Sequence, residues 1–198
     1  PVVSEEDGQR DESILSAPRW FVVDPLDGTK EFIKQTGSFT VNIGLIEAGV
    51  PTVGIVHVPV SGLTYGASPE TGAWKQAVGE DRQTIQTQPA PAGLRIVASR
   101  DHAGPEVKAL LARFPESECL SIGSSLKFCL VAEGAADVYL RDVPTMEWDT
   151  AAAHAVINSA GGQILTHPNH QTLAYAKPDY RNGALLTIGD EKLLSRLF

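Results

Sequence analysis

Hydrophobic and polar positions alternate with a period of two through much of the first half of the chain. Residues 20–24 (WFVVD) form an aromatic and β-branched run that stops at Asp-Pro, which predicts a short buried strand. Segments 38–47, 52–60 and 63–68 predict antiparallel strands, with turns at Ala48-Gly49-Val50-Pro51 and Ser61-Gly62, so the region reads as a meander. The stretch Thr84 to Gly93 (TIQTQPAPAG) lacks such periodicity and separates a lobe over 1–93 from a second over 94–198. In that second lobe, 95–99 and 137–140 predict strands. Segments 104–113, 124–133 and 149–160 carry helical spacing, the last two closed by Gly134 and Gly161. Residues 184–188 (ALLTI) predict a last strand before a terminal helix. Antiparallel strands followed by alternating α and β elements predict a layered α/β (α+β) architecture without internal repeats.

Composition narrows the field. The 198 residues are 42% apolar and 20% charged, enough to bury a core, and the net charge of −8 argues against nucleic-acid polymers or anionic membranes as partners. Any anionic ligand must then be held by local cations. Cys119 and Cys129 have no CxxC spacing and no histidine cluster beside them, which suggests neither a disulfide framework nor zinc and fits a reducing cytosol. No apolar run reaches the roughly 18 residues of a membrane span.

The chemistry concentrates in residues 24–32, DPLDGTKEF. Asp24 ends a predicted strand, Pro25 sets a turn, and Asp27 is expected at the N-cap of a short helix, so two carboxylates converge. Beyond them the amides of Gly28 and Thr29 would face a phosphate oxygen. Hard carboxylate oxygens suit Mg²⁺, which completes its shell with water and substrate phosphate. A bare DxxDG also marks ordinary turns and caps. Context adds Glu5 and Glu6 in VSEED and Asp149 in WDTAAA; taken singly, an acidic patch near a terminus and a plain N-cap are the better accounts of these, and only their combination with DPLDGT favours a metal site.

The order of acidic pair, DPLDGT and then WD at a helix start resembles the inositol-monophosphatase-like phosphatases. KEF after the core motif, GSSLKFCLVAEG (123–134) and TMEWDTAAAHAV (145–156) resemble the 3′(2′),5′-bisphosphate nucleotidase, CysQ-like branch. The resemblance covers almost the whole chain. It implies the αβαβα sandwich of the sugar phosphatases, here lacking a first helix pair, and two or three Mg²⁺ held by Glu5, Asp24, Asp27, Asp149 and the carbonyl of Leu26. It also implies direct attack of a metal-activated water oriented by Thr29, with phosphate oxygens on the amides of Gly28 and Thr29. Family members carry upstream helices bearing an Asp that pairs with this Thr. The sequence opens at Pro1, has Met146 as its only methionine, and so reads as a fragment whose activity alone is in doubt and whose sheet has an uncovered apolar face.

Substrate choice is expected to rest on Ser124 and Lys127, in the first turn of a predicted helix where an anion could sit, and by resemblance on His102 and Arg141. Each also has an ordinary reading: Lys127 as a solvated helix residue, Arg141 as a surface ion-pair partner, His102 as a polar helix start. His154 reads as structural, and Trp20, Trp74 and Trp148 as core aromatics. The resemblance implies hydrolysis of 3′-phosphoadenosine 5′-phosphate to AMP, a role in sulfur metabolism, lithium sensitivity, and a place in the cytoplasm or at the inner membrane face. Three alternatives stay open. The first is an inositol monophosphatase or fructose-1,6-bisphosphatase sibling. The second is a haloacid-dehalogenase-type enzyme, disfavoured because its aspartates lie two apart rather than three. The third is a non-catalytic metal-binding module.

Overall fold

The computed structural model describes residues 1–7, 14, 16–98 and 104–198. Seven strands make one sheet in chain order: β1 (Val2–Ser4), β2 (Arg19–Asp27), β3 (Thr40–Glu47), β4 (Val50–Val58), β5 (Leu63–Ser68), β6 (Gly72–Gln76) and β7 (Gln83–Thr84). β1 runs parallel to β2 and the remaining pairs are antiparallel, as the predicted meander requires. Helix α1 (Thr29–Ile33) lies between β2 and β3.

The chain crosses to a second sheet between Thr84 and Arg95. Its strands are β8 (Arg95–Ala98), β9 (Glu118–Ser121), β10 (Val138–Arg141), β12 (Gln163–Thr166) and β14 (Leu185–Ile188), ordered β12-β14-β10-β8-β9. β11 (Thr145–Met146) and β13 (Arg181–Asn182) form a separate ribbon. Helices α3 (Leu126–Ala132) and α4 (Ala151–Ala160) lie between the sheets: α4 packs on β3 to β6 and touches β12, while α3 packs on α4, β10 and β14. Helix α2 (Pro105–Arg113), the terminal helix α5 (Leu194–Leu197) and the turn before it cover the far side of the second sheet through Val107, Leu110, Leu193 and Leu197. Among the described residues the layers are therefore sheet, helices, sheet, helices, matching four of the five layers of the expected αβαβα sandwich.

Two glycines set how closely α4 approaches the first sheet. A Cβ at Gly44 would lie 2.9 Å from Ala151 Cβ, and one at Gly54 only 2.0 Å from the carbonyl oxygen of Ala152. Glycine on the strands and alanine on the helix thus allow near backbone-to-backbone packing, and α4 carries the preceding Asp149 turn to the sheet. The core it closes, with Trp20, Val22, Val56, Val156 and Ile157, continues into Tyr139, Ile164 and Leu185 of the second sheet.

Several boundaries differ from expectation. The strand predicted over 20–24 continues through Pro25 to Asp27, because a register shift between Asp24 and Asp27 spares proline from donating an N–H to the ladder. The helix expected over 124–133 begins only at Leu126, since Ser124 holds a left-handed backbone with φ 51°. The expected terminal helix is a 3₁₀ turn, Glu191–Leu193, followed by one α turn.

Candidate active site

The register shift in β2 explains the three-residue spacing of the aspartates. Asp24 lies opposite Asn42 and Asp27 opposite Thr40, so three steps on β2 match two on β3. In a regular strand, residues three apart face opposite sides; the extra residue returns Asp27 to the side of Asp24. Asp149 arrives from across the interface at the turn before α4. Oxygens of Asp24, Asp27 and Asp149 all lie within 4.8 Å of one another.

Each carboxylate has one oxygen fixed by a backbone amide. Leu26 N–H donates to Asp24 Oδ1 at 2.9 Å, Ser125 N–H to Asp27 Oδ2 at 2.5 Å, and Met146 N–H to Asp149 Oδ2 at 2.8 Å. Asp24 Oδ2 is buried without a hydrogen-bond partner among the described residues. Burial, then the charge of Asp27, push the Asp24 carboxyl well above the ordinary carboxylate range, and Glu5 adds to the effect; Asp149 is raised by burial and by Asp27. An orphaned buried oxygen among three crowded carboxylates is what a hard divalent cation would relieve, and the donor set fits one. Glu5 stands beside Asp24, its amide bonded to the carbonyl of Val23 at 3.1 Å, but lies outside the group of three.

The expectation that Asp27 caps α1 is corrected. Gly28 holds the N-cap, with φ 95° and no side-chain cap, and Asp27 closes the strand instead. A Cβ at residue 28 would lie 3.1 Å from Glu31 Oε2 and 3.4 Å from Ser124 Cβ in a backbone conformation that side chains disfavour. Asp149 is likewise not the cap of α4. Thr150 takes that position, and Asp149 folds its carboxylate back onto the amide of Met146.

A cavity of about 270 Å³ opens beside the cluster, lined by Asp27, Thr29, Ser125, Lys127, Arg141 and Asp149 among others. Gly28 and Ser124 line it too. Lys127 is not a solvated helix residue: it is 3% exposed, donates to the carbonyl of Ile122 at 3.5 Å and sits 5.5 Å over the Tyr139 ring. Neither is Arg141 a surface ion-pair partner. Its guanidinium donates to the carbonyls of Val143 at 3.2 Å and Pro144 at 3.4 Å, and to Tyr139 Oη at 3.5 Å. Ser124 sits one residue upstream of the α3 cap rather than in its first turn. His102 lies outside the described residues. His154 is buried, its Nδ1 3.0 Å from Tyr175 Oη, and all three tryptophans are buried.

Sequence reasoning passed over the groups behind the carboxylates. Glu147 is fully buried, accepting from the amides of Ala176 and Lys177 and from Lys177 Nζ at 3.1 Å, which joins the loop before β13 to the Asp149 turn. Asn182 Nδ2 donates to the carbonyl of Met146 in the same turn. The acidic residue of TMEWD is a sequence signal; its lysine partner thirty residues on is not. Both cysteines are free thiols, and among the described residues no helix is long and apolar enough to cross a membrane.

Comparison with known proteins agrees with this geometry. The model of the inositol monophosphatase family matches residues 1–197. The 3′(2′),5′-bisphosphate nucleotidase CysQ of Escherichia coli K12 is 51% identical over 164 residues, 83% of this chain and 65% of that protein; the CysQ of Buchnera aphidicola is 43% identical over 166 residues, 84% and 62%. The chain thus spans just under two thirds of the length of these relatives. A crystal structure of CysQ from Bacteroides thetaiotaomicron superposes with a TM-score of 0.87 at 40% identity, covering 96% of this chain and 76% of the other. A staphylococcal inositol monophosphatase shares the fold, with a TM-score of 0.81 at 22% identity, 99% of this chain and 73% of that one. With its carboxylate trio, its layer order and these similarities, the chain belongs to the inositol monophosphatase family.

Proposed function

We propose that this chain forms the catalytic part of a Mg²⁺-dependent 3′(2′),5′-bisphosphate nucleotidase that hydrolyses 3′-phosphoadenosine 5′-phosphate to AMP and phosphate. The observation that carries the reading is the meeting of Asp24, Asp27 and Asp149 at the rim of a cavity that also holds Lys127 and Arg141. Two or three cations would be held by these aspartates, Glu5 and the Leu26 carbonyl. Their chemistry is Lewis acidity, which makes water a nucleophile at neutral pH and neutralises phosphate charge.

The residues of the chain do the positioning. The amides of Gly28 and Thr29 receive the phosphate oxygens, and the Thr29 hydroxyl orients the attacking water, so that attack on phosphorus needs no covalent phosphoenzyme. Ser124, Lys127 and Arg141 hold the second phosphate and the nucleotide, with His102 approaching it; a buried ammonium and a guanidinium supply the local positive charge that a chain of net charge −8 otherwise lacks. CysQ-type relatives at 51% and 43% identity support this substrate over an inositol phosphate. The same reading places the protein in the cytoplasm with a small-molecule partner.

Phosphate release from 3′-phosphoadenosine 5′-phosphate, inositol 1-phosphate and fructose 1,6-bisphosphate tests it. The assay should use this chain and a form extended to the length of its relatives. The expected result is Mg²⁺-dependent preference for the nucleotide, lost in Asp27→Asn. Preference for inositol 1-phosphate would move the protein to the sibling activity, and Mg²⁺ binding without release from any of the three would make it a non-catalytic module.

A further inference from the structure

The surroundings of Asp27 are asymmetric. Among the described residues, the hydrogen bonds reaching its carboxylate all converge on Oδ2: Ser125 N–H and Ser125 Oγ at 2.5 Å, Thr40 Oγ at 3.2 Å and Asn42 Nδ2 at 3.2 Å. The three donor residues are 0–2% exposed, so water does not compete for them. Asn42 spends its second amide hydrogen on Ser125 Oγ at 3.0 Å, and its own Oδ1 is buried without a partner. The amide is therefore oriented by its donors alone, since the opposite orientation would set carbonyl oxygen against carboxylate oxygen. Ser125 Oγ also lies 2.6 Å from the carbonyl oxygen of Asp149, so its single proton stands between the two aspartate turns.

We propose that Thr40, Asn42 and Ser125 are positioning residues that occupy Asp27 Oδ2, so that Asp27 offers a cation one oxygen, Oδ1, rather than both. This rests on the Mg²⁺ reading above and adds to it a reason for the choice of ion. A carboxylate with one oxygen saturated by donors is a poor chelate. Mg²⁺ accepts single oxygens at short distance in strict octahedral geometry, whereas Ca²⁺ accepts bidentate carboxylates and looser shells. The trio thus favours the smaller ion, and through Ser125 it holds the Asp27 turn of the first sheet in register with the Asp149 turn before α4. Two residues of β3 and the cap residue of α3 serve one oxygen atom.

The test is Mg²⁺ and Ca²⁺ binding by calorimetry to the wild-type chain and to Thr40→Val, Asn42→Leu and Ser125→Ala. Circular dichroism and melting without metal would check the fold. Thr40→Val removes a hydroxyl and keeps the shape, so its folding is least at stake. The expected result is about 10–100-fold weaker Mg²⁺ binding, with a smaller loss for Ca²⁺ and hence a lower Mg²⁺ to Ca²⁺ affinity ratio. Wild-type affinities and ratio in folded variants would overturn the inference while leaving the phosphatase reading standing. Equal weakening of both ions would reduce the trio to general support of the fold and overturn it as well. A wild-type chain that takes up no Mg²⁺ would remove this inference together with the metal part of the reading beneath it.

Discussion

A buried imidazole gives this protein a pH dependence that can be isolated from its carboxylates. Burial, and then the charge of Lys177, lower His154 from 6.5 to about 4, while the ring is held against Tyr175 and its Nε2 has no partner among the described residues. Above pH 6.5 the ring is neutral in both folded and unfolded chains and contributes no pH dependence. As pH falls from 6.5 towards 4 the unfolded chain takes up a proton that the native one refuses, so stability is lost across that window, on the order of 3 kcal/mol at its foot. In His154→Phe, urea-unfolding free energies should decline less between pH 6.5 and 4.5 than in the wild type; an unchanged slope would show that the native ring protonates freely. The same scale shows what sequence could and could not reveal of the site. Asp24, Asp27 and Asp149 sit in two short strings whose spacing is itself the signal. Thr40, Asn42 and Ser125 matter only because β3 and the cap of α3 come to lie beside Asp27, and residues with 98 positions between them leave no local pattern.

Among the elements, α4 decides where Asp149 stands, and its seat depends on the missing side chains of β3 and β4. Gly54→Ala would place a methyl group 2.0 Å from the Ala152 carbonyl oxygen, an obstacle of backbone rather than of a flexible side-chain tip. The helix must then lift. The expected cost is about 1–3 kcal/mol or more, read from chemical denaturation, together with weaker Mg²⁺ binding because the Asp149 turn moves with the helix. Gly49→Ala, in the β3–β4 turn where nothing lies within 4 Å of the new Cβ, is the control for backbone strain alone, since its φ is 81°. Behind the Asp149 turn, Lys177→Met leaves Glu147 fully buried with, among the described residues, the amides of Ala176 and Lys177 as its remaining partners, and should cost about 3–5 kcal/mol; a melting temperature within a degree of wild type would contradict that. Elements with strong periodicity were legible in the sequence: the meander, the helices over Pro105–Arg113 and Ala151–Ala160, and the strand Leu185–Ile188. The strands β1, β6, β7, β9, β11, β12 and β13 were not, because runs of two to five residues are too short to show a period and are specified by the neighbour they pair with.

At the scale of the whole molecule, the first sheet has one face in the core and one face turned outward, and both are apolar. Trp20, Val22, Ile46 and Val56 point inward, against α4. On the other side Val2, Phe21, Leu45 and Val53 line up across four neighbouring strands, and Val23, Ile43 and Ile55 form a second row. Phe21 is 44% exposed and Ile43 40%. A single-sided sheet would alternate apolar and polar residues here. Two adjacent apolar rows instead form the kind of contiguous patch that binds dyes and drives association. The chain as it stands should therefore enhance the fluorescence of anilinonaphthalene sulfonate in its native state and sediment with a concentration-dependent mass. Phe21→Lys combined with Ile43→Lys should diminish both effects while changing unfolding free energy by less than about 1 kcal/mol, since surface substitutions each contribute within about 0.5 kcal/mol. Mg²⁺ affinity should remain unchanged, because Asp24 and its partner Asn42 lie on the inner face. Dye binding that survives the double substitution would locate the exposed apolar surface elsewhere, with Phe32 and Ile33 of α1 and the neighbouring Val60 as the next region to alter. An extended form that neither binds dye nor associates, though it keeps Phe21 and Ile43, would show that the additional segment covers these two rows.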